Sequence, residues 1–158
     1  MSYSQKTLID MNTEQFLSDI LPREIQEFFI STSLNAYVVG GAVRNWLLKK
    51  KAVDFDIVID GDISKIALDF SLIVRGRIVE LGRDREIIRI NYDLEKSSIT
   101  IDLNTFSGDI KSNLLSRDLT INSLAVKIPS SSPDDYSRTE VIDVCGGVKD
   151  LQYSVVRM

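Results

Sequence analysis

The sequence contains no histidine and a single cysteine, Cys145, among 158 residues. Without histidine there is no imidazole general base, no Ser-His-Asp triad and no His-containing zinc site. A lone thiol has no partner in the chain for a disulfide. Any metal chemistry must therefore use oxygen ligands, which favour magnesium or manganese. No apolar run approaches the ~20 residues needed to cross a bilayer. Residues 2–12 are mostly polar, with no apolar stretch of the kind found in a signal peptide. Together with the lone cysteine, this leads us to expect a cytoplasmic protein. Basic surface is scarce as well: 19 Lys and Arg face 23 Asp and Glu, a formal charge of −4. Such a domain does not grip nucleic acid through a wide basic face. An acidic, solvated surface is also the ordinary state of a soluble protein.

What is present is an ordinary globular composition, 44% hydrophobic and 27% charged. The length suits one domain, with neither internal repeat nor low-complexity segment. The first 35 residues read as helical. Thr13 is placed to cap a helix carrying Phe16, Leu17 and Ile20, and Pro22 suits the first turn of a second helix bearing Ile25, Phe28 and Phe29. Ala36-Tyr37-Val38-Val39 reads as a buried strand closed by Gly40-Gly41, and Val43 to Lys51 as a helix. Asp54 to Ile59 alternate, and Ser64 to Val74 return to helical spacing. Strands are expected at Arg77–Leu81, Glu86–Tyr92 and Ser98–Leu103, the last two joined by a hairpin turn at Asp93 to Lys96. Helices are expected at Asp109–Leu115 and Leu119–Ile128, a polar loop at Pro129–Thr139, and a last strand at Val141–Val144. Three successive strands without crossover helices exclude a doubly wound fold. The expectation is α+β: a mixed, mostly antiparallel sheet of about five strands with helices on one face.

Three features carry chemistry. Asp54 and Asp56 lie two apart on a strand, so both carboxylates leave one face while Phe55, Ile57 and Ile59 enter the core. Paired carboxylates repel unless a cation lies between them. Two divalent ions roughly 3.5–4 Å apart can clamp the attacking and leaving oxygens of a phosphoryl displacement. A solvated sheet edge accounts equally well for Asp-x-Asp alone. Gly40-Gly41 separates a strand from a helix, where backbone N–H groups can approach an anion and Arg44 can reach it. A tight turn needing positive φ explains the glycines as well. Asp102 shares a strand face with Thr100, opposite Ile99, Ile101 and Leu103. If that strand neighbours the first, three carboxylates meet, one of them available as a base for a sugar hydroxyl.

In order, these pieces resemble a known family. Gly40-Gly41-Ala42-Val43-Arg44-Asn45 followed by Asp54-Phe55-Asp56 resembles the first signature of the class II tRNA nucleotidyltransferases (CCA-adding enzymes) and bacterial poly(A) polymerases. Arg117-Asp118-Leu119-Thr120-Ile121-Asn122-Ser123-Leu124-Ala125 is similar to the second signature. The run from Asp143 through Gly146-Gly147 to Asp150-Leu151 and Arg157 looks like the family's head-to-neck junction. The resemblance covers residue 37 onward. It implies a polymerase-beta-like nucleotidyltransferase head over residues 1–158, with residues 1–35 a helical extension packed on it. The neck, body and tail, which in the family read the base and hold the tRNA, are expected to be absent.

The same resemblance implies roles. Asp54, Asp56 and Asp102 would hold two magnesium ions, or manganese in their place. Gly40, Gly41 and Arg44 would bind the triphosphate of ATP or CTP. Arg117, Asp118 and Asn122 would recognise its ribose and phosphates; read from the residues alone, Asp118 and Asn122 are equally a helix cap and local hydrogen bonds. The acceptor would be an RNA 3′ end, that of a tRNA, with no membrane involved. Asn45 stands where the family has aspartate, and Ser116 where it has a first arginine. The alternatives within the family are poly(A) addition, or a head that is inactive without its neck and body and only binds nucleotide. Outside it, a transferase acting on antibiotics or proteins, or a degenerate head serving as a scaffold, are the competing readings. Of these last two, the first has a different glycine-serine turn, and the second would show a missing carboxylate.

Overall fold

The computed structural model describes residues 17–32, 34–81, 86–130 and 140–158. The expected cap at Thr13, Phe16 and most of the Pro129–Thr139 loop lie outside them. Helix α1 (Arg23–Thr32) follows Pro22, whose carbonyl accepts from the N–H of Ile25 at 3.0 Å. Its buried face is Ile25, Phe28 and Phe29. The Gln26 side chain donates to the carbonyls of Leu17 and Leu21, fixing the preceding turn. Strand β1 (Ala36–Val39) leads into α2 (Gly41–Leu47), then β2 (Asp54–Ile59) and α3 (Ile63–Val74). Asp62 caps α3 by accepting from the N–H groups of Ser64 and Lys65, satisfying donors that a helix start leaves open. Strands β3 (Arg77–Leu81), β4 (Ile87–Leu94) and β5 (Ser97–Thr105) form the meander. Then come α4 (Ile110–Leu115), a 3₁₀ turn (Thr120–Asn122), β6 (Leu124–Ile128), β7 (Val141–Asp143) and α5 (Gly147–Gln152).

Among the described residues the sheet has seven strands in the order β3-β4-β5-β2-β1-β6-β7, rather than about five. All pairs are antiparallel except β2 with β5, which run parallel at the centre. The missed strand is β6. Residues 119–128 read as one helix, but only the single 3₁₀ turn forms, and Leu124-Ala125-Val126-Lys127-Ile128 pairs along β1. A short apolar run does not distinguish strand from helix by periodicity. Here the free edge of β1 decides, because its backbone groups need partners.

One sheet face carries the main core: Phe55, Ile57 and Ile59 of β2, Ile99, Ile101 and Leu103 of β5, and Ile88 and Ile90 of β4, packed with α1, α2 and α3. Phe28 and Tyr92 each meet Phe70 edge-to-face, at 5.1 and 5.9 Å, tying α1 and β4 to α3. Helices are not confined to this face. On the other, α4 sets Ile110 and Leu114 over Val39, Val58 and Ala125. That second cluster covers the β2-β1-β6 side only. The rest of the face, on β2, β5 and β4, is polar.

Candidate active site

The uncovered face is where the carboxylates stand. The parallel register sets Asp54 beside Thr100 and Asp56 beside Asp102, while β1 sets Val39 on the other side of Asp56. Phe55 and Ile57, almost fully buried, anchor the strand beneath. Asp54 and Asp56 both reach solvent. The Asp56 carboxylate is nevertheless crowded at its base. Lost solvation pushes its pKa up, and the charges of Asp102 and Asp54 push the same way, against the pull of Arg117 and Arg89.

Asp102 lies on the strand face that its alternation anticipates, and the parallel pairing brings it beside Asp56, but it does not stand free. Arg89 of β4, its cross-strand partner, donates from Nε to Oδ1 at 2.7 Å and from Nη2 to Oδ2 at 2.8 Å. The sequence reading missed Arg89. Its only signal is a charged residue between Ile88 and Ile90, and pairing it with Asp102 requires the hairpin register.

The glycine turn closes the other side. Gly40 follows Val39 at φ 70° and ψ −127°, a conformation that side-chain-bearing residues avoid. A Cβ there would lie 3.1 Å from Nη1 of Arg117 and 3.4 Å from Oδ2 of Asp56. The bare backbone thus lets both groups approach the start of α2. Arg44 donates from Nη1 to Oδ1 of Asn122 at 2.5 Å and from Nη2 to Oδ1 of Asn45 at 3.4 Å. Arg117 leaves the end of α4 and is half-buried. Burial lowers its pKa, and the Asp56 charge opposes that. Its Nε is buried with no hydrogen-bond partner. Its Nη1 end lies at the Gly40 turn, where a guanidinium can donate to an anion. Asp118 is exposed and makes none of these contacts. Nor does it cap the following turn, whose N-cap is Leu119.

The loop after β7 holds the Asn122 side of the site in place. Asp143 accepts from the N–H groups of Cys145, Gly147 and Val148. Buried Asp150 accepts from Thr120 Oγ1 at 2.6 Å and from Arg157 Nε at 2.8 Å. The N–H of Thr120 donates to the carbonyl of Arg157 at 3.0 Å. These bonds fix the 3₁₀ turn that carries Asn122.

Among the described residues no group of three Asp, Glu, Cys or His side chains stands as a ready metal cage. The donor set still fits a hard cation. Magnesium is commonly held by one or two carboxylates with substrate phosphates completing the shell. Asp54 and Asp56, two apart on one exposed strand face, supply such a pair.

Residues 36–157 match the poly A polymerase head domain. The chain belongs to that family. It is 29% identical to a CC-adding tRNA nucleotidyltransferase of Halalkalibacterium halodurans, over 77% of this chain and 28% of the relative. The fold is that of the Thermotoga maritima CCA-adding enzyme solved in complex with tRNA, with a TM-score of 0.72 and 29% identity over 92% of this chain and 35% of that one. A CCA-adding enzyme solved with ATP gives a TM-score of 0.71 and 29% identity, covering 91% of this chain and 35% of that one. The head domain described here thus spans about a third or less of the length of these relatives.

Proposed function

We propose that this head domain transfers a nucleoside monophosphate from ATP or CTP to the 3′ end of an RNA, a tRNA end lacking its terminal nucleotides, and releases pyrophosphate. The observation that carries the reading is the parallel pairing that sets Asp56 beside Asp102, one strand from the glycine turn at Gly40. Similarity to proteins that add C or A to tRNA supports the choice of reaction. As an RNA-directed activity it is proposed to work in the cytoplasm. On the described residues no helix is long and apolar enough to cross a membrane.

Asp54 and Asp56, with Asp102 as the third acidic group, would hold two magnesium ions, which when bound neutralise the phosphate charge and lower the barrier to loss of the hydroxyl proton. Manganese would fit the same oxygen ligands. The chain's own residues do the rest. Gly40 and Gly41 leave room for the triphosphate against backbone N–H groups. Arg44 and Arg117 oppose the charge that develops on its oxygens as the hydroxyl oxygen bonds to the α-phosphorus and the bond to pyrophosphate breaks. Asn122, which accepts a hydrogen bond from Arg44, would meet the ribose; Asp118, exposed in this structure, would join it only when nucleotide is bound. The acidic surface leaves little grip for RNA, so the partner RNA is held mainly by parts beyond this head.

The family's own description makes poly(A) addition the second reading. Both are tested by incubating the full-length protein that carries this head with magnesium, a tRNA lacking its 3′ CCA and each labelled nucleotide in turn. Addition limited to C, C and then A, or to part of that series, supports the first. Unlimited A addition to any RNA end supports the second. No incorporation of any nucleotide would overturn both.

A further inference from the structure

The third acidic position already has a resident cation. Both oxygens of Asp102 accept from one guanidinium, through Arg89 Nε and Nη2 at 2.7 and 2.8 Å. This side-on, two-bond geometry is the strong form of the arginine–carboxylate pair. Register imposes it, because Arg89 is the direct cross-strand neighbour of Asp102. The Asp102 side chain is only 23% exposed, against 41% for Arg89, so the pair is partly sheltered and less screened than a surface bridge. The hydrogen bonds and charge of Asp102, and after them the charges of Asp54 and Asp56, hold Arg89 in its cationic form. Among the described residues, by contrast, neither Asp54 nor Asp56 accepts a side-chain hydrogen bond, and Asp56 feels Arg117 and Arg89 only through their charge. One end of the acidic row is therefore neutralised by protein, and the other is left for something else.

Resting on the metal-dependent reading above, we propose that Arg89 is a built-in competitor of the divalent ion: it occupies Asp102 until an ion displaces it, so that ions load first at Asp54 and Asp56 and the third carboxylate is yielded last. The physical reason is charge. A fixed guanidinium about 6 Å from a divalent ion disfavours it by roughly a factor of ten even at the dielectric of water. Its hydrogen bonds also use the lone pairs that Asp102 would otherwise offer. Divalent ions thus bind this head weakly until a nucleotide's phosphates add ligands of their own, which ties metal loading to substrate.

The test is Mn²⁺ binding without nucleotide, read by electron paramagnetic resonance of free Mn²⁺ in a titration of the purified protein. Arg89→Met keeps an unbranched stem and removes the charge. Binding by the variant is expected to tighten roughly five- to tenfold. Arg89→Lys, which keeps the cation, is expected to stay within twofold of wild type. Asp102→Asn placed on Arg89→Met is expected to return affinity to about the wild-type value. Thermal melts of each variant confirm folding. Should Arg89→Met melt early, Arg89→Gln, which keeps a donor without the charge, replaces it in the titration. Unchanged or weaker Mn²⁺ binding on removing the charge overturns the proposal. If binding is then still lost in Asp56→Asn, the metal reading stands and only the role of Arg89 falls. If wild type, the Arg89 variant and Asp56→Asn show the same lack of saturable binding, both fall.

Discussion

Replacing Gly147 by alanine probes how the loop after β7 supports the site. A Cβ at Gly147 would sit 2.1 Å from the carbonyl oxygen of Thr120 and 2.8 Å from its carbonyl carbon. Ordinary contact begins near 3.4 Å, so α5 and the 3₁₀ turn must separate by about 1.3 Å. The neighbour is backbone, and no rotamer change relieves it. Overpacking of this kind costs roughly 1–3 kcal/mol, and a backbone neighbour puts it at the upper end. Against this stands a helix-propensity gain of about 1 kcal/mol for alanine over glycine. The net loss is about 2 kcal/mol, which for a domain of this size lowers Tm by roughly 4–8 °C. Gly41→Ala is the matched control, also at the first residue of a short helix. There the new Cβ meets only the flexible end of Arg44, at 3.5 Å. Differential scanning calorimetry of the two variants decides the matter. If Gly147→Ala melts within 2 °C of Gly41→Ala, the contact between α5 and the turn carrying Asn122 is not a constraint, and the reasoning fails.

Other outcomes follow from the same geometry. Gly40→Ala forces a side chain into φ 70° and ψ −127° against Arg117, and should cost about 1–3 kcal/mol and weaken binding of a fluorescent ATP analogue. Asp150 is held below the usual carboxylate range by its hydrogen bonds from Arg157 and Thr120. The folded state therefore binds its proton less tightly than the unfolded one. The stabilisation is complete above the unfolded carboxylate pKa and drains as pH falls through the folded value, so the gap in urea stability between wild type and Asp150→Asn should close between pH 5 and 2. Asp56 has the opposite sign. Its pKa is raised, so its charge destabilises the ion-free fold at neutral pH. Asp56→Asn should raise Tm at pH 7 in chelator, and the advantage should vanish at pH 3, where both forms are neutral. The same substitution should lower the rate of nucleotide addition at least a hundredfold, as loss of several kcal/mol of charge stabilisation requires.

Much of this site was legible in the sequence because its parts obey local rules. The alternation over Asp54–Ile59 puts both aspartates on one face whatever the tertiary context, and the structure shows Phe55, Ile57 and Ile59 buried beneath them. Asp102 could be assigned a face but not a neighbour. Its place beside Asp56 depends on a parallel pairing between strands separated by a helix and two further strands. The same limit hid Arg89, which matters only through its partner. The reading of 119–128 as one helix failed for a related reason. The apolar spacing was real, but Gly40 N–H donates to the Leu124 carbonyl and β1 pairs along Leu124–Ile128. A local pattern yielded to an edge that needed hydrogen bonds. Asp118 was grouped with Arg117 and Asn122 by resemblance; the fold turns Arg117 and Asn122 inward and leaves Asp118 exposed.

The most direct measurement is the anomalous diffraction of crystals of this protein grown with Mn²⁺ and a non-hydrolysable ATP analogue. Manganese peaks bound by Asp54 and Asp56, with the triphosphate lying along Gly40, Gly41 and Arg44, are the expected result. A nucleotide bound elsewhere, or one bound here with no manganese at either aspartate, would contradict it.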